Sequence, residues 1–262
     1  MIMQKQYNIN TASKTISHYA TVATSYNQSY FLKEGTDYQR WELEQVQQSM
    51  RLNPEDKVVD LGCGTGVFSS TLYMNAGLSN PVLAVEPSQA MLDQAQNLLG
   101  IKPFCANAVT FAQQPKIRYD KILMKGMIHH VPLVDLPQLY RGVYQQLRPQ
   151  GLLLTVTRPT FVHYPFFPAA LAVWEKHQPP AELFVEEQER AGFSVSYQTH
   201  SYPVYLPKQQ WFAMIRSRFW STFSYFDDNE LRAGIAELEE AYADQDYLSF
   251  TDELIFITAV KH

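Results

Sequence analysis

Cysteine is nearly missing from this sequence: Cys63 and Cys105 are the only two among 262 residues. Two thiols this far apart neither complete a zinc site nor staple a small fold, so a reducing, cytoplasmic setting is expected, and no metal. Charge is scarce as well, at 18% of residues, and neither sign dominates: 21 basic side chains face 26 acidic ones, for a formal net charge of −5. A mildly acidic chain without a basic stripe or tail gives phosphate backbones little to bind, which argues against nucleic acid as a partner. Long apolar runs are missing too. None approaches the ~20 residues that span a bilayer. The opening stretch MIMQKQYNIN has no apolar segment of the about 7–15 residues that a secretory signal needs. No membrane partner is expected, and the composition fits a monomer or a homodimer. What is present is a large apolar share, 46% of the chain, enough for a real core and too much for disorder, collagen or a coiled coil.

Short apolar runs alternate with helical patterns, the signature of parallel βαβ units. A polar, tyrosine-rich leader comes first. Leu43, Val46 and Met50 then recur at helical spacing beside Trp41, so residues 38–52 read as an amphipathic helix that Pro54 ends. Residues 57–61, 82–86, 101–105, 120–124 and 152–157 read as five strands. Between them run helical patterns through Val67–Ala76, Met91–Leu99 and Leu136–Leu147, with Ser88 as an N-cap and Gly77 and Gly100 as stops. The strand at 152–157 is apolar on both faces, as expected of one covered by helices on each side. After it, residues 158–180 are rich in proline and aromatics and suit no continuous regular element. Helices are expected over 181–191, 207–220 and 228–243, and late strands over 193–200 and 254–261. The whole reads as one α/β domain: a leader (1–37), a core (38–157) and two cap inserts (158–180 and 202–250).

The sharpest feature is Asp60-Leu61-Gly62-Cys63-Gly64-Thr65-Gly66, set between a strand and a helix. Glycines let the backbone turn tightly and approach a ligand with no Cβ in the way, and the helix N-terminus behind them offers free N–H groups. Glu86 ends the second strand, where a carboxylate accepts both hydroxyls of an adenosine ribose. A nicotinamide or flavin fingerprint spaces its glycines G-x-G-x-x-G; here Val67 stands where the third would fall. Asp60, immediately before the loop, would repel a pyrophosphate but suits a cationic ligand.

These residues resemble the class I S-adenosylmethionine-dependent methyltransferases. Asp60 through Gly66 looks like their first motif, and Glu86 in Ala84-Val85-Glu86-Pro87-Ser88 like their ribose-binding acid. Tyr119-Asp120 through His129-His130-Val131 resembles their fourth motif, and Leu147-Arg148-Pro149-Gln150-Gly151 the turn before their fifth strand. The resemblance implies a doubly wound, seven-stranded Rossmann-like sheet in the order 3-2-1-4-5-7-6 with the last strand antiparallel. It also implies S-adenosyl-L-methionine as cofactor, held by Asp60, Gly62, Cys63, Gly64, Gly66, Glu86, Pro87, Asn107, Ala108 and Lys125, with Tyr19 and Tyr26 of the leader folding over it as a lid. The family usually places Asp-Ala after the third strand to receive the adenine amino group; this chain has Asn107-Ala108, whose amide oxygen can still accept.

Methyl transfer from a sulfonium is an in-line displacement, so the protein must mainly hold the acceptor atom about 3 Å from the methyl carbon and exclude water. A proton on the acceptor needs a base, and His129 and His130 at the end of the fourth strand are the candidates. The aromatic-rich inserts suit a small organic acceptor, with Arg158, Tyr164, Trp211, Arg216 and Arg218 as candidate contacts. A macromolecular acceptor, or a protein that binds the cofactor without catalysis, are the competing readings.

Overall fold

The computed structural model describes residues 11–23, 26–31, 33, 35–114 and 118–262; the first ten residues of the leader lie outside these. Val58–Leu61 (β1) is buried at all four positions, which a strand achieves only between two helical layers. Val82–Glu86 (β2), Ile101–Cys105 (β3), Tyr119–Lys125 (β4) and Leu147–Thr157 (β5) join it in parallel. Ser194–Pro207 (β6) and Tyr247–Val260 (β7) complete the sheet, β7 running antiparallel to both neighbours. The observed order is β3-β2-β1-β4-β5-β7-β6, as the motifs imply.

Among the described residues ten α-helices surround it: Thr11–Val22 (α1), Asp37–Met50 (α2), Val67–Ala76 (α3), Gln89–Ala95 (α4), Ala108–Ala112 (α5), Leu136–Gln146 (α6), Pro168–His177 (α7), Ala181–Arg190 (α8), Lys208–Arg216 (α9) and Asp228–Ala241 (α10). Local chemistry sets several ends. Thr36 caps α2 by accepting from the Gln39 N–H, and Arg51 closes it in the left-handed region at φ 50°, three residues before the proline expected to do so. Asp227 and Glu230 form a capping box at α10. Pro168 occupies the first turn of α7, where its missing N–H costs nothing; this is how a regular helix fits inside the proline-rich insert.

One face of the sheet packs on Leu139, Tyr140, Val143 and Phe184, the other on Leu43, Val46, Met50, Phe68 and Leu72. A third cluster is the cap, built from aromatics: Trp211, Phe166, Trp220 and Phe223 interlock, with Phe166 stacked on Trp211 at 5.4 Å. The late strands are longer than expected. Each has 14 residues, and their pairing continues past the last rung that β7 shares with β5, Thr157↔Ile255, out to Pro207↔Tyr247. That outer half is a two-stranded arm. It buries Val204, Leu206 and Leu248 against the cap while Tyr205 and Tyr247 stack outside at 4.8 Å. No helix among the described residues is long and apolar enough to cross a membrane.

Candidate active site

The loop from β1 into α3 carries three glycines with positive φ, Gly62 (78°), Gly64 (59°) and Gly66 (75°). They do different things. A Cβ on Gly62 would sit 2.7 Å from Met127, whereas Gly64 opens onto the cleft with only the Tyr26 ring nearby at 3.9 Å. Gly66 lies outside the cleft lining; a Cβ there would press on Ile101 at 3.0 Å and Ala95 at 3.1 Å. Here the missing Cβ lets α3 pack closely against β3 and α4.

Glu86 turns back toward this loop. Its two carboxylate oxygens accept from the Gly64 N–H (3.2 Å) and the Ser88 N–H (3.0 Å), which fixes the group and leaves lone pairs for a diol. Burial raises its pKa, and those two N–H bonds work against the rise. Asp60, only 2% exposed, accepts from the Ser69 hydroxyl at 2.6 Å on one oxygen. Its other oxygen has no partner among the described residues. Burial pushes the Asp60 carboxyl up to about 6, against the Ser69 bond and the Lys125 charge. An orphaned carboxylate oxygen beside a glycine cradle suits a cation. Lys125 lies on the same wall, 3.3 Å from both oxygens of Glu42 and 4.4 Å over the Phe68 ring. Asn107 caps α5, its amide oxygen accepting from the Thr110 N–H at 2.8 Å; the side chain is exposed to the cleft and keeps a second lone pair and its amide donors. Cys63, Pro87 and Ala108 also line the cleft. Burial raises the Cys63 thiol well above its usual range, so it is no nucleophile.

Beyond β4 the chain makes a short 3₁₀ turn, Ile128–His130, which puts both imidazoles at the cleft. Their rings lie 3.9 Å apart. Tyr19 of α1 shares a hydrogen bond of 3.3 Å with His130 Nε2. His129 makes no hydrogen bond among the described residues; burial, aided by the Arg158 charge, lowers it to about 4. Burial and the neighbouring imidazoles hold His130 well below its usual range. Both are neutral at physiological pH. The leader closes the top. Tyr26 stacks on Phe219 at 5.1 Å, and the Thr65 hydroxyl donates to the Asn27 side-chain oxygen at 2.6 Å, tying the leader to the glycine loop. The enclosed cleft measures about 1420 Å³, more than the ~300–1,000 Å³ of a single small-molecule pocket.

Four expected acceptor contacts do not reach it. Trp211 is fully buried in the cap, its indole N–H donating to the Pro165 carbonyl at 2.8 Å. Tyr164 lies beneath Arg158 and donates to Asp252. Arg216 pairs with Glu239, and Arg218 with Asp228, on an outer groove between α9 and α10. Nothing local in the sequence distinguished these core and surface positions from a pocket wall. Arg158 does line the cleft. Sequence reasoning missed Glu42, Asn27 and Asp252, whose partners lie 83, 38 and 94 positions away; no local signal marks them.

Residues 58–151 match the family model of a methyltransferase domain. The chain is 32% identical over 100 residues to N-terminal Xaa-Pro-Lys N-methyltransferase 1 of Danio rerio, covering 36% of this chain and 44% of that protein. Demethylmenaquinone methyltransferase of Symbiobacterium thermophilum is 22% identical over 180 residues, 64% of this chain and 68% of its own length. Among solved structures, phosphoethanolamine N-methyltransferase 2 of Haemonchus contortus, with phosphomonomethylethanolamine and S-adenosylhomocysteine, superposes with a TM-score of 0.62 at 16% identity, covering 98% of this chain and 61% of that one. A methyltransferase domain is thus recognised over residues 58–151, and the likeness to the solved structure is one of fold. The chain spans less than half of the Danio rerio relative.

The residues present fit S-adenosylmethionine: Glu86 would hold the sugar diol, Asn107 the base, and the orphaned Asp60 oxygen the cationic end. One consequence is testable by titration. Because the Asp60 pKa is raised, a proton is taken up as pH falls through about 6 and the attraction for a cation is lost. The protein should bind S-adenosylmethionine about tenfold more weakly per pH unit below that point. Calorimetry on Asp60→Asn should show weaker binding with the pH dependence gone; an unchanged slope would contradict this role.

Proposed function

We propose that this protein transfers the methyl group of S-adenosylmethionine to a small organic acceptor, with His129 as general base. The observation that carries the reading is a neutral imidazole with no hydrogen-bond partner among the described residues, facing the same cleft as Glu86 and the glycine loop. When bound, the cofactor supplies an electrophilic methyl carbon and a leaving group that departs neutral. The chain does the rest. Glu86, Gly64 and Asp60 orient the nucleoside; α1 and the aromatic rings of Tyr19, Tyr26, Phe219 and Trp220 exclude water. His129 receives the proton that the acceptor atom loses as the new bond to carbon forms. A base of such low pKa is weak, so this proton must become acidic during transfer. His130, engaged with Tyr19, positions the lid over its neighbour.

Residues 1–37 serve as the lid in this reading, and the 158–180 and 202–250 inserts as the acceptor side. A small acceptor is favoured over a macromolecule by the net charge of −5 and by the leader lying across the cleft mouth. The test is an assay for S-adenosylhomocysteine release over a metabolite library. Turnover of at least one small molecule supports the reading. Turnover only on peptide or RNA would move the acceptor to a macromolecule, and none on any class would leave a cofactor-binding protein.

A further inference from the structure

At the end of β5, two strands away from Gly62 in the sheet, Arg158 enters a buried polar network. Its Nε donates to Asp252 Oδ1 and to the Tyr164 hydroxyl, both at 2.9 Å, and its Nη2 donates to Asp252 Oδ2 at 3.0 Å and to the Tyr38 hydroxyl at 3.3 Å. The Asp252 carboxylate is 0% exposed and takes two further bonds, from Tyr38 at 2.6 Å and from Tyr164. Gln178 clamps the backbone, its amide donating to the Arg158 carbonyl at 2.8 Å. The Phe31 ring lies 5.6 Å from the guanidinium carbon.

A guanidinium has five N–H donors, and this accounting leaves two of them. The N–H groups of Nη1 have no acceptor among the described residues, while Arg158 lines the cleft with its side chain 20% exposed. Asp252 engages the guanidinium through its Nε and Nη2 edge, so the Nη1 donors are not used by it. The cleft that Arg158 lines also carries the aromatic and apolar groups Val173, Trp174, Trp220 and Tyr225, with Glu175, Lys176 and His177 among them. A rigidly held, half-satisfied arginine in such a wall is a place for a planar or tetrahedral oxyanion.

We infer that Arg158 anchors an anionic group of the methyl acceptor through Nη1, so that the acceptor is an apolar or aromatic acid, a carboxylate or a phosphate monoester, and not a neutral or cationic compound. Tyr38, Tyr164 and Asp252 are then positioning residues, setting the angle at which Nη1 is presented. This rests on the methyl-transfer reading, and its test separates the two. Protein saturated with S-adenosylhomocysteine is titrated calorimetrically with benzoate, phenyl phosphate and the neutral benzamide. Benzoate or phenyl phosphate should bind at least about tenfold more tightly than benzamide, and which of them leads identifies the oxyanion. Arg158→Lys keeps a cation for Asp252 but cannot fill both roles, so it should lose that preference while its affinity for S-adenosylhomocysteine stays within about twofold. Equal binding of benzamide and the two anions by the wild type, or no binding of either anion, overturns the inference without any variant. A fall in S-adenosylhomocysteine affinity in Arg158→Lys would assign the residue to the cofactor and overturn it too. Failure of the wild type to bind S-adenosylhomocysteine would instead overturn the methyl-transfer reading.

Discussion

His129→Gln should lower kcat by roughly 10²–10⁴-fold, the usual contribution of a positioned base, while the affinity for S-adenosylmethionine stays within about twofold. The reason is the separation of duties in the cleft. Among the described residues His129 makes no hydrogen bond, to the glycine loop, to Glu86 or to any other group, so its loss removes a proton acceptor and little else. The pH profile adds a second signature. With the imidazole lowered to about 4, the base is free above that value and is protonated only as pH falls through it. In wild-type protein saturated with cofactor, kcat should therefore be level from about pH 6 to 8 and decline toward pH 4. The Gln variant should lose that limb. A variant that kept its rate would move the base elsewhere, and His130→Gln is the comparison: it breaks the Tyr19 contact and should raise KM for cofactor as the lid loosens. The same sign governs stability. His129 and His130 are held neutral by burial, so they favour the folded state above their unfolded pKa of about 6.5. That contribution is lost as pH falls through the lowered folded values, and the melting temperature should drop on the acid side.

Glu86→Ala should weaken S-adenosylmethionine binding by about 100-fold or more. Hydrogen bonds to a charged group contribute about 1.5–3 kcal/mol each, and the carboxylate is placed to accept two from a ribose diol; every 1.4 kcal/mol is about tenfold in affinity. The fold should tolerate the change. Burial already opposes ionisation of this group, so removing it relieves desolvation even as the Gly64 and Ser88 N–H groups lose their acceptor. Glu86→Gln is the sharper control, because its amide has one acceptor to share between two backbone donors and aims a donor where an acceptor was. Calorimetry showing Glu86→Ala within about threefold of wild type would remove the ribose role.

Much of the core was legible because its signals are local. Val58–Leu61 is apolar but for Asp60 and followed at once by glycines, and such a run has one stable place, inside a parallel sheet with a ligand at its carboxyl end. Glu86 sits at a strand end by the same reasoning, and Ser88 caps the helix after it as its side chain dictates. The cap resisted reading. Trp211 and Tyr164 look like pocket aromatics by composition, but in the fold one is sealed behind Pro165 and the other beneath Arg158. Arg216 and Arg218 look like an anion clamp, but each is taken by a carboxylate on α10 or at its start.

By itself the chain's order of residues determined the strand sequence, the glycine turn and the acid that follows, since each depends on backbone geometry within a few positions. Tertiary structure alone decided which side chains share the cleft. The Arg158–Asp252 pair spans 94 positions and Tyr19–His130 spans 111. Such meetings arise from the antiparallel return of β7 and the folding back of the leader. Periodicity reports which face of an element is apolar, but not which distant face will cover it.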